Sequence, residues 1–76
     1  MIINAKAFID ASGDRAIGQR VFTAQMGDYP GGEAIITEIN PDPNAPEIVM
    51  MVKHPTYGDV GIFDTEIIGI ILEETK

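Results

Sequence analysis

The sequence predicts a mainly β protein, a small β-barrel of about five short antiparallel strands with a short N-terminal helix. Two observations favour this fold class: apolar and polar residues alternate over several short stretches, and turns rich in Gly and Pro separate those stretches. A chain of 76 residues forms one domain. We expect an N-terminal helix or turn segment over residues 1–17 and the barrel over residues 18–76.

The first segment carries the signals of a short helix. Asn4 is a suitable N-cap, residues 5–11 contain good helix formers, and Gly13 is a plausible stop. A first strand through residues 7–9 is the alternative.

The turn at Pro30-Gly31-Gly32 is the most strongly specified point of the chain. Pro fixes one backbone angle, and the two glycines can take the positive φ values that close a tight reversal. On either side of this turn, side chains alternate between two faces over residues 19–25 and 33–40. These two stretches are predicted to form a hairpin.

The second half of the chain adds three further strands. Three prolines within residues 40–47 exclude helix and central strand, so this segment is either a plain connector or a presented, peptide-like edge. The expected elements are strands at 48–54, 60–63 and 67–72, a single 3₁₀ turn at 64–66 and a frayed tail at 73–76.

Charge and composition limit the partners. Twelve acidic against five basic residues give a net charge of −7, which disfavours nucleic acid and anionic membranes. The chain has no cysteine, and its longest mostly apolar run, residues 67–72, is too short to span a bilayer. No signal peptide is visible, so we expect a cytoplasmic protein without membrane or nucleic-acid partners.

No residue pattern indicates catalysis, a metal site or a cofactor. His54 is the only histidine, and we expect it to be a strand-end residue that faces water. Ser12, the only serine, lacks the context of a nucleophile. Four acidic residues lie in or beside predicted loops and are either solvated surface charge or a weak acidic docking patch: Asp28, Glu33, Asp59 and Asp64.

The third and last strands carry more apolar residues than one barrel interior needs. Val49 and Met51 lie opposite Ile48, Met50 and Val52. The last strand adds Ile67 and Ile71 on the side that should face outward from the predicted barrel. Either the N-terminal segment or another chain must cover these four residues, and we expect a symmetric homodimer with Met51 near its axis.

Aromatic residues supply a second candidate site. The aromatic residues of interest are Tyr29, Phe22, Tyr57 and Phe63, and the groove is expected at Tyr29, Tyr57 and Phe63, because Tyr29 and Tyr57 lie in two turns that could converge. They either line a groove for an extended peptide or pack at one end of the core.

A family resemblance adds to this interpretation. The patterns Gly18-x-x-Val21 and Gly-Gly-x-Ala-x-Ile at 31–36, followed by an apolar third strand, resemble the KOW-type half of an SH3-like barrel. The ending at 61–68, where a short acidic turn leads into an apolar strand, is similar to the close of such barrels, so the resemblance covers residues 18–73. It implies an SH3-like fold and, from similar endings in small chains of larger complexes, an accessory function. KOW domains usually carry basic loops, whereas the loop at 26–33 contains no lysine, so RNA binding is not carried over.

The sequence therefore predicts a non-enzymatic interaction or accessory module that self-associates or docks on a larger protein. One alternative is a KOW-like nucleic-acid-associated module, which would require Arg15, Arg20 and Lys53 to cluster. The other is an oligomeric small-molecule-binding protein with its site at a symmetry axis.

Overall fold

The computed structural model describes residues 2–71 as a mainly β globule with one short α-helix, which confirms the predicted class. Six strands form one antiparallel sheet. The elements in chain order are β1 (Ile2–Asn4), α1 (Ala5–Ser12), a 3₁₀ helix (Gly13–Ala16), β2 (Arg20–Thr23), β3 (Gly32–Ile39), β4 (Ile48–His54), β5 (Gly58–Phe63) and β6 (Ile67–Ile70).

The strands lie in the order β1-β6-β2-β3-β4-β5. The four consecutive strands β2 to β5 form a meander in which each strand pairs with the next, and β6 returns to pair with β2. β1 pairs with the other side of β6. Within residues 2–71, β1 and β5 are the two edges and the sheet is not closed.

The N-terminal helix forms as its capping signals predict, and the alternative strand through residues 7–9 is wrong. The Asn4 side chain accepts hydrogen bonds from the backbone N–H groups of Lys6 (2.9 Å) and Ala7 (3.3 Å). Gly13 caps the other end at φ 57°. In the part of the chain that the structure describes, no helix is long and apolar enough to cross a membrane.

The turn between β5 and β6 holds the start of α1 in place. The backbone N–H of Ala5 donates to the carbonyl of Glu66 (2.8 Å), and that of Lys6 donates to the carbonyl of Asp64 (3.4 Å). The helix contacts β4 and β5 and buries Ala5, Phe8 and Ile9 in the common core. The largest fully buried side chains of this core come from the sheet: Val21, Ile36, Met50, Val52, Ile62 and Ile68.

The connection from β2 to β3 depends on its two glycines. Gly31 has φ 72° and Gly32 has φ 98°, which confirms the positive φ predicted for this turn. The surroundings of the two differ. A Cβ on Gly31 would lie 2.7 Å from the backbone nitrogen of Gln25 and 2.8 Å from the carbonyl oxygen of Thr23, whereas a Cβ on Gly32 would meet no atom within 4 Å.

We expect Gly31→Ala to destabilise the protein more than Gly32→Ala. Both substitutions strain a backbone with positive φ, which costs about 1–2 kcal/mol. Only Gly31→Ala also pushes a Cβ into backbone atoms that cannot rotate away, for a total of about 2–4 kcal/mol. Urea denaturation of the two variants measures the difference, and equal losses of unfolding free energy would contradict this account of Gly31.

Candidate functional site

The interface predicted on β4 is not an exposed surface. Val49 is 5% exposed and belongs to the core of its own chain. The pairing of β4 with β5 shifts register between Ile48 and Met50, and this irregularity lets the consecutive residues Val49 and Met50 both be buried. Met51 is partly buried and lies over Gly61, its partner in β5. The surface at Met51 therefore does not expose the apolar side chains that the expected dimer interface requires.

The outer surface of the sheet around β6 does expose large apolar side chains. Ile67, which the sequence placed at an interface, is 50% exposed. Two residues that the interface prediction omitted are more exposed, Ile2 at 78% and Phe22 at 58%. Ile71, the other predicted residue, is partly buried beside β6, where its carbonyl accepts a hydrogen bond from the Gln19 side chain (3.0 Å).

Strand register brings these residues together. Ile2 of β1 and Phe22 of β2 both pair with Gly69 of β6, one from each side, so the three share one face of the sheet. Ile67 is two residues from Gly69 and lies on the same face. We call Ile2, Phe22, Ile67 and Gly69 the β6 face.

The β6 face surrounds a shallow uncharged depression. Because Gly69 has no side chain, a hollow of about 270 Å³ remains between Ile2, Phe22 and Ile67. Its other lining residues are Thr23, Ala24 and Ile68, so none of the residues from 2 to 71 that line it is charged. An uncharged apolar surface on so acidic a chain is the kind of patch that marks an interface.

The predicted aromatic groove is not assembled from its three residues. Tyr29 and Tyr57 do converge, in an edge-to-face contact with ring centroids 5.2 Å apart. Tyr29 is only 3% exposed, however, and its hydroxyl lies 2.5 Å from the Thr23 hydroxyl. Phe63 lies at the far end of β5 from the turn that holds Tyr57, opposite Ile48 of β4. Tyr29 is thus a core residue, and the aromatic groove is not the candidate site.

His54 lies beside Tyr29 and is buried, so the expectation that it faces water is wrong. The ring is 8% exposed and packs edge-to-face on Tyr29 with centroids 5.3 Å apart. Nε2 donates to the carbonyl of Gly31 (2.8 Å), and Nδ1 accepts from the backbone N–H groups of Thr56 and Tyr57 (both 3.1 Å). A carbonyl accepts only from a protonated nitrogen, so this pattern requires a neutral ring with its proton on Nε2.

The His54 ring joins two loops rather than forming a reactive site. Through Gly31 it holds the β2–β3 connection, and through Thr56 and Tyr57 it holds the β4–β5 turn. Among residues 2–71 there is no group of three or more His, Cys, Asp or Glu that could hold a metal ion.

We expect His54→Ala to lower the unfolding free energy by about 2–3 kcal/mol, because it leaves the buried carbonyl of Gly31 and the part-buried N–H groups of Thr56 and Tyr57 without these partners. His54→Asn should lose less, since its side-chain oxygen can still accept from the N–H groups of Thr56 and Tyr57 as in an Asx turn. Thermal unfolding followed by circular dichroism gives both values. Two variants as stable as the natural sequence would show that the ring does not hold these loops together.

Comparisons with protein-family models, with curated proteins and with solved structures found no match to this chain. The candidate site is therefore defined by its own geometry, as the uncharged apolar β6 face.

Proposed function

We propose that the chain is a non-enzymatic interaction or accessory module of SH3-like type that self-associates through the β6 face. The fold part of this proposal is supported by the meander of β2 to β5 and by the short turn at Asp64 to Glu66 that leads into an apolar last strand. In that turn the backbone N–H of Glu66 donates to the carbonyl of Phe63 (3.1 Å), a one-turn bond of 3₁₀ type.

The observation that carries the functional part is the exposure of Ile2, Phe22 and Ile67 side by side on three neighbouring strands. Scattered single apolar residues are ordinary on a protein surface, but these three border one depression. Completing the burial of each would contribute on the order of 1–2 kcal/mol.

A second copy of the chain is the occupant that the surroundings of the β6 face favour. β1 is an edge of the sheet and lies beside this face, so a two-fold axis at β1 would join two sheets and merge their apolar faces. Two chains of net charge −7 repel each other, and the repulsion is reduced where the contact is made by uncharged side chains such as those that line the hollow of the β6 face. Dimerisation at the β6 face would therefore bury exposed apolar side chains and keep the electrostatic repulsion between the two chains low.

We expect the protein to have a mass near twice 8.2 kDa in light scattering at tens of micromolar. Phe22→Ser should convert the dimer to a monomer because it removes the largest exposed apolar side chain of the β6 face. Phe63→Ser is the matched control, since Phe63 is a similarly exposed aromatic residue (47%) on β5, at the other edge of the sheet.

A mass near 8.2 kDa for the natural sequence would reject self-association. A dimer that Phe63→Ser disrupts and Phe22→Ser leaves intact would place the interface away from the β6 face. Raising the salt concentration should strengthen the dimer, because salt screens the repulsion between two acidic chains.

A further inference from the structure

A second surface on the outer side of the sheet is separated from the β6 face by an ion pair. Arg20 and Phe22 of β2 lie opposite Ile35 and Glu33 of β3, respectively. Arg20 and Glu33 are therefore diagonal neighbours across the two strands. The guanidinium Nη1 of Arg20 lies 2.8 Å from Oε2 of Glu33. The pair forms a polar boundary between Phe22 on one side and Ile35 on the other.

Beyond this boundary, β2, β3 and β4 form an open groove of about 460 Å³. Its apolar surface includes Ile35, which is 44% exposed, together with Ala34 and Pro55. A volume of this size lies within the range of small-molecule sites and is small for an extended peptide. The remaining lining residues are Arg20, Glu33, Thr37 and Lys53.

The charge of the groove is opposite to that of the chain. Arg20 and Lys53 are two of the five basic residues of the chain, whereas Glu33 is the only acidic residue between positions 2 and 71 that lines the groove. Ile35 lies between the two cations, paired with Arg20 on one side and Lys53 on the other. The groove thus combines an apolar surface with an excess of one positive charge.

Lys53 supplies that excess. Arg20 is engaged with Glu33, but the side chain of Lys53 is exposed, and its ammonium group makes no hydrogen bond or ion pair with any residue from 2 to 71. Its cross-strand neighbour on the side away from the groove is Asp59, and no ion pair joins the two. An ammonium group beside an apolar surface can bind a carboxylate or sulfonate while the rest of the ligand covers the apolar residues.

We propose that this groove is a binding site for a small organic monoanion, with the anionic group on Lys53 and an apolar body over Ile35 and Pro55. Arg20, held by Glu33, closes the groove on the β2 side. The site is distinct from the β6 face, and the proposal does not depend on self-association.

The probe is 8-anilinonaphthalene-1-sulfonate, an aromatic monoanion whose fluorescence rises in apolar surroundings, and decanoate is the competing carboxylate. We expect saturable binding that decanoate displaces and that the neutral decanol displaces less well. Lys53→Gln should raise the dissociation constant about fivefold, the effect of losing one partly solvated charge contact. Lys6→Gln is the matched control, because it changes the net charge equally from α1 and should leave the dissociation constant within about twofold.

Two further variants separate the two surfaces of the sheet. Ile35→Asp should abolish binding of the probe, since it places a carboxylate beside Lys53, whereas Phe22→Ser should preserve it. Circular dichroism of each variant checks that the fold is retained. Equal effects of Lys53→Gln and Lys6→Gln, displacement by decanol as strong as by decanoate, or loss of binding with Phe22→Ser would each overturn the proposal. Failure of the dimer test leaves these outcomes unchanged.

Discussion

The pairing of β6 with both β1 and β2 is the constraint on which the rest of the structure depends. β6 comes from the end of the described chain and inserts between the first strand and the start of the meander, so it joins segments that are far apart in sequence. The turn before β6 receives the first N–H groups of α1, which places the helix over β4 and β5. This arrangement buries Val49 within the chain and brings Ile2, Phe22 and Ile67 to the outer surface as neighbours.

The outer side of the sheet has two apolar areas with different electrostatics. Among residues 2–71 no charged residue lines the hollow of the β6 face, which suits an apolar partner, whereas Lys53 lines the groove on β2 to β4, which suits an anion. The ion pair of Arg20 with Glu33 lies between them. As both partners are substantially exposed, its contribution to stability is small, and its larger effect is to keep apolar side chains from merging into one patch.

The buried cluster of Thr23, Tyr29 and His54 fixes the loops at one end of the sheet. The Thr23 hydroxyl donates to the carbonyl of Gly32 (2.8 Å), so it must accept from the Tyr29 hydroxyl. Together with the His54 bond to Gly31, these contacts satisfy the backbone of the tight β2–β3 connection. His54, which sequence analysis considered for chemistry, is thus used to hold loops, and the two candidate binding areas lie on the outer surface of the sheet.

The sequence by itself determined the elements whose signals are local. Alternation located β2 and β3, and apolar stretches between turns located β4 to β6. The side chain of Asn4 began α1, and Gly31 and Gly32 marked a turn that requires positive φ. Only the tertiary structure decided what depends on register and on long-range contacts. β1 has only three residues and forms because β6 offers it an edge to pair with. The β6 face and the groove exist because strand pairing aligns residues that are far apart in sequence, up to 67 positions for Ile2 and Gly69. Periodicity assigns side chains to alternate faces of a strand, but it does not contain the register of one strand against another, nor the irregularity that buries Val49 and Met50 together.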